Sequence, residues 1–194
     1  MEEREMDQKF SELFKDMLTV MESVRRGFFS VNVKMVKEEH EKFRNLLKAR
    51  LDYAEKIIGE VDKGETEKKF VSLVIAFQTV ALGLDNVMDR MEIKIESNTL
   101  FSEKAQKELK GLFGLIGGQV KDLIDYVVTK NPHLLAAIKK GKEDLNNLVD
   151  EYSVVHQNRL ITGVCMPKAS YLYIDITDSV KRMARGLVEF AEKV

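Results

Sequence analysis

The chain has 194 residues, 44% of them apolar and 32% charged, with a formal net charge of −1. That balance lacks the clustered basic excess of a nucleic-acid or anionic-membrane binder, so neither is an expected partner. A lone cysteine, Cys165, excludes an intrachain disulfide framework and suits a reducing compartment, and the polar opening Met1-Glu-Glu-Arg-Glu-Met-Asp carries no secretory pattern.

Apolar residues recurring at three- and four-residue spacings predict six long helices. The first, about 3–28, carries Phe10, Leu13, Phe14, Met17, Leu18 and Met21. The second, about 32–62, carries Val36, Phe43, Leu47, Leu51, Ala54 and Ile58 and stops before Gly64. The third, about 66–97, holds the longest apolar run, Phe70 to Leu84, broken by Ser72, Gln78 and Thr79. That run falls short of the roughly 20 residues needed to span a bilayer. It reads as a buried helix, and no direct membrane insertion is expected.

The link from Ser97 to Ser102 separates two halves, with Ser102 suited to cap a fourth helix at about 103–129. Asn131-Pro132 reads as cap plus first-turn proline for a fifth at about 132–162. Gly163 can take the left-handed conformation that ends it, and Pro167 opens a sixth at about 167–193. No strand signal of comparable strength occurs. The expected fold is all-α, an elongated six-helix bundle of two three-helix units forming one domain over 1–194.

Asp85 and Asp89 lie one helical turn apart, and Glu92 and Glu96 continue the same stripe. Like charges so spaced repel. A hard cation held by carboxylate oxygen would neutralise them, as would ion pairs with Arg90, Lys94, Lys181 or Arg185. The ferritin-type Glu-x-x-His motif is absent, because Lys37, Lys130 and Ser153 stand three before His40, His133 and His156. His156 reads as a helix–helix hydrogen-bonding residue, and Cys165 as a buried turn cysteine. Gly111, Gly114, Gly117 and Gly118 inside the fourth helix predict a close helix crossing. A docking groove becomes the better reading if that stripe is exposed. No Ser/His/Asp cluster and no nucleotide loop occurs, so enzymatic activity is not expected.

The spacing His156-x-x-Arg159-Leu160-x-x-Gly163-x-Cys165-x-Pro167-x-x-Ser170 runs into the helix bearing Lys181, Arg182 and Arg185. It resembles the PhoU-like domains of phosphate-uptake systems, nearest to the domain at the cytoplasmic end of sodium/phosphate cotransporters. Asp85-x-x-x-Asp89, followed by Leu100-Phe101-Ser102-Glu103-Lys104-Ala105 and Leu109, keeps that family's order of third helix, Phe-Ser link and fourth helix.

The resemblance implies two three-helix PhoU-type repeats, about 1–98 and 99–194. It also implies a metal at an acidic pair on the third helix of each. Here the candidate ligands are Asp85 and Asp89 with Glu39, and the candidate cofactor is a divalent or trivalent ion such as Fe, Zn, Mg or Ni. The aligned second-repeat positions hold Lys181 and Arg185, which cannot coordinate a cation. Phe43 and Arg44 follow Glu38-Glu39-His40-Glu41 where a further acid would be expected, and Glu143-Asp144 precede Asn146. A sharper reading has Lys181 and Arg185 taking over the cation's electrostatic role. The implied function is non-enzymatic regulation of inorganic phosphate transport or signalling by docking on a phosphate transporter or membrane sensor. The implied location is cytoplasmic, peripheral at the inner membrane face through that partner, and a homodimer is compatible. The alternatives are a divergent helical scaffold without a phosphate role and a carboxylate-bridged metal protein.

Overall fold

The computed structural model describes residues 3–58, 64–164 and 166–194. They form six helices: α1 (Glu3–Phe29), α2 (Val33–Ile58), α3 (Glu65–Glu96), α4 (Glu103–Thr129), α5 (Pro132–Ile161) and α6 (Pro167–Ala191). No strand occurs among the described residues. The side chains of Leu51, Ala54 and Ile58, and the whole of Cys165, lie outside the described residues.

The helix ends follow from local chemistry. Ser102 Oγ accepts the Ala105 amide at 3.2 Å, and Asn131 Oδ1 accepts that of His133 at 3.0 Å, so each satisfies an amide left free at a helix start. Pro132 and Pro167 occupy first turns, where the missing N–H costs nothing. Gly163, at φ 73°, terminates α5 as its freedom from a Cβ allows.

Helices α1, α3, α4 and α6 make the centre, through the pairs α1–α3, α1–α4, α3–α6 and α4–α6. Helix α2 flanks them on α1 and α3, and α5 flanks them on α4 and α6. At one end Phe10, Phe14, Phe77 and Phe190 interlock, with Phe14 and Phe190 edge-to-face at 4.9 Å. At the other, Phe28, Phe101 and Tyr173 join the turns after α1, α3 and α5.

By length and composition α3 is the one described helix that could cross a bilayer. Its apolar character has a use inside the bundle, where Leu73, Ala76, Val80 and Met88 are fully buried and the helix packs on α1, α2 and α6. The close helix crossing lies elsewhere than the glycine stripe predicts. A Cβ on Gly83 would meet Met183 Cγ at 2.6 Å, and one on Gly186 would meet Val80 Cγ2 at 2.8 Å, so α3 and α6 touch through these two glycines. Gly111, Gly114, Gly117 and Gly118 have nothing within 4 Å of such an atom. They face open space, and Gly114, Gly117 and Gly118 line a groove between α1 and α4.

Candidate functional site

Two polar clusters stand out against the apolar centre. The first lies between α2 and α3. His40 and Arg44, four residues apart, share one face of α2, and Asp85 and Glu92, seven apart, share the facing side of α3. His40 Nε2 lies 2.8 Å from Asp85 Oδ1, and its Nδ1 lies 2.5 Å from Glu92 Oε1. With both carboxylates ionised, both ring nitrogens are matched only when each carries a proton. Arg44 Nε donates to the same Asp85 oxygen at 2.9 Å. Burial would raise the Asp85 carboxyl, but hydrogen bonds from Arg44 and His40 outweigh it and hold the group below its ordinary value. The reciprocal bond to Asp85 pushes the Arg44 guanidinium up.

The rest of the acidic stripe is neutralised too. Asp89 pairs with Arg90 at 3.2 Å, and Glu96 with Lys37. Arg90 also lies 2.7 Å from Asp175 of α6, although its Nε–H is not aligned for a hydrogen bond there. Of the four cations expected to neutralise the stripe, Arg90 does so. Lys94 instead sits 91% buried over the rings of Phe28 and Phe101, where burial lowers its ammonium. Lys181 reaches Asp150 of α5 at 2.7 Å, and Arg185 faces Glu189 at 3.6 Å. Thus α3 presents an acid to a cation on α2, whereas α6 presents a cation to an acid on α5.

The three candidate metal ligands are not brought together as a free set. Asp85 is held by His40 and Arg44, Asp89 by Arg90, and Glu39 by Lys42 at 2.6 Å. Among the described residues no group of three or more His, Cys, Asp or Glu side chains is arranged to hold a metal ion. As arranged, the donors do not fit a metal: an ion at Asp85 would have to displace a guanidinium and an imidazole from one carboxylate.

The second cluster is deeper and joins α4, α5 and α6. Glu108, 5% exposed, accepts from Arg159 Nη2 at 2.9 Å and from the Tyr173 hydroxyl at 2.7 Å through one oxygen, Oε2. Burial, then the bond to Glu108, pushes the Tyr173 phenol well up, so it stays the donor. Arg159 also reaches the capping hydroxyl of Ser102 at 3.5 Å, at the limit of a hydrogen bond. Two residues of the sequence motif, His156 and Arg159, therefore meet here. His156 differs from expectation. Instead of bonding a neighbouring helix, it stacks on Tyr173 at 4.6 Å and 18°, and neither ring nitrogen has a hydrogen-bond partner among the described residues. Burial, reinforced by Arg159, lowers its basicity.

Sequence reasoning passed over His40, Arg44, Glu108 and Tyr173 as site residues. A signal existed for Glu108, which continues the apolar register of Ala105, Leu109 and Leu112 and so had to be buried. Comparison with family models, with curated proteins and with solved structures gives no match.

Proposed function

We propose that the chain is a non-enzymatic, PhoU-like regulator of inorganic phosphate transport or phosphate signalling, built as two three-helix repeats and acting by docking on a transporter or membrane sensor. The observation that carries this reading is the parallel between the triplets. In α1–α2–α3 and in α4–α5–α6 the middle helix packs on both others, and each third helix sends a charged side chain, Asp85 or Lys181, to the helix before it. The sequence likeness at 156–170 supports the same reading and gives it its phosphate connection. The open glycine face of α4 leaves room for a partner. A docked protein shifts a transporter only by as much as its affinities for the transporter's two states differ.

The test is uptake. In cells lacking this chain, the rate of inorganic phosphate uptake changes while uptake of an unrelated anion such as sulfate does not. Equal phosphate uptake with and without the chain, in starved and replete cells alike, defeats the reading. The metal-protein alternative has a separate check, elemental analysis of the purified chain. Stoichiometric metal would revive it.

A further inference from the structure

Leu100, Val164 and Met166 are 79%, 67% and 68% exposed. They rim a cavity of about 250 Å³ between the α3–α4 link and the α5–α6 turn, and His156 and Tyr173 lie deeper in its lining, 3% and 1% exposed. Phe101, Ala105 and Ala169 complete a largely apolar wall. Cavities of this kind, apolar with one or two placed polar groups, are the usual form of small-molecule sites.

The polar group here is unsatisfied. Among the described residues neither His156 nitrogen has a hydrogen-bond partner, although buried polar groups nearly always find one. The neighbouring groups are committed elsewhere, since the Tyr173 hydroxyl donates to Glu108 and Ser102 Oγ accepts from the Ala105 amide. Tyr173 also covers one face of the imidazole, so a partner must approach in the ring plane. A neutral imidazole offers one donor and one acceptor there, which suits a hydroxyl. Charge is not called for, because Glu108 and Arg159 already neutralise each other at 2.9 Å. Size agrees as well: an apolar cavity of about 150 Å³ accommodates benzene.

We propose that this cavity binds a small, uncharged, mostly apolar molecule bearing a hydroxyl group, with the hydroxyl on His156 and the hydrocarbon body between Leu100, Phe101 and Met166. The proposal does not depend on the phosphate reading. Phenol is the probe, with benzene as its counterpart lacking the hydroxyl, both titrated into the full chain. Phenol should bind saturably, shift a His156 ring-nitrogen resonance and move the Ala105 and Ala169 amides. His156→Phe keeps the stack on Tyr173 and removes both nitrogens. It should weaken phenol about tenfold and leave benzene within twofold. Phenol saturation that leaves the His156 nitrogens unmoved overturns the proposal, as does equal phenol affinity in wild type and variant. So does a cavity that neither probe enters, which would mark it as filled by water alone. The ring-nitrogen measurement uses the wild-type chain and stands even if the variant fails to fold.

Discussion

His40 Nε2 lies 2.8 Å from Asp85 Oδ1, and this contact ties α2 to the acidic face of α3. The imidazole is almost wholly buried and spans Asp85 and Glu92, whose side chains are 29% and 18% exposed. Replacing His40 by Leu should therefore take this partner from Glu92, leave Asp85 with Arg44 alone and cost about 2 kcal/mol in urea unfolding, below the figure for a fully buried pair because both carboxylates retain some water. The cost should shrink at acid pH, because hydrogen bonds from Arg44 and His40 outweigh burial and hold the Asp85 carboxyl below its ordinary value. Stability from such a group is fully present above the unfolded value and lost as pH falls through the lower folded one. Asp85→Asn should flatten that part of the acid profile.

Glu108 Oε2 serves two donors, so its removal strands both. Glu108→Ala should destabilise the chain by about 3 kcal/mol, whereas Tyr173→Phe, which leaves Arg159 in place, should cost about 1–2 kcal/mol. A double-mutant cycle between Glu108 and Arg159 should show coupling above about 1 kcal/mol. Additive effects would mean the bond at 2.9 Å contributes nothing.

The glycines divide into two kinds. Gly114→Ala and Gly118→Ala meet open space and should each stabilise by about 0.5–1 kcal/mol through better helix propensity. Gly83→Ala and Gly186→Ala should instead lower the melting temperature, because their new methyl groups would press on Met183 and Val80 across the α3–α6 contact. Thermal unfolding of the four variants decides the matter, and a common sign would refute the assigned crossing.

Lys181 and Asp150 form a partly exposed pair at 2.7 Å. Lys181→Glu should cost about 0.5–1 kcal/mol by setting two acids together, and the added change Asp150→Lys should restore most of it. If Lys181→Glu leaves the melting temperature unchanged, the charge at this position has no electrostatic role.

All six helices were legible from apolar spacing and caps, because Ser102, Asn131, Pro132, Gly163 and Pro167 act through nearby backbone. What spacing could not supply was the facing of one helix against another. The acidic stripe of α3 was visible, but its neutraliser depended on which face of α2 turned toward it, and His40 and Arg44 emerged only with that rotation. The glycine stripe misled for the same reason: small residues permit close approach without specifying a neighbour. Arg159 was marked by its motif, while its acceptor Glu108 lies 51 residues away and needed the fold to find it.

The central claim is that this bundle docks on phosphate-handling membrane machinery, and affinity capture of the tagged full chain tests it most directly. Captures from phosphate-starved and phosphate-replete cells should both be solubilised, cross-linked and compared. The account predicts that a phosphate transporter or phosphate sensor is enriched and that its yield changes at least several-fold between the two states. Recovery of no such protein from either culture, with the tagged chain folded and abundant, would contradict it.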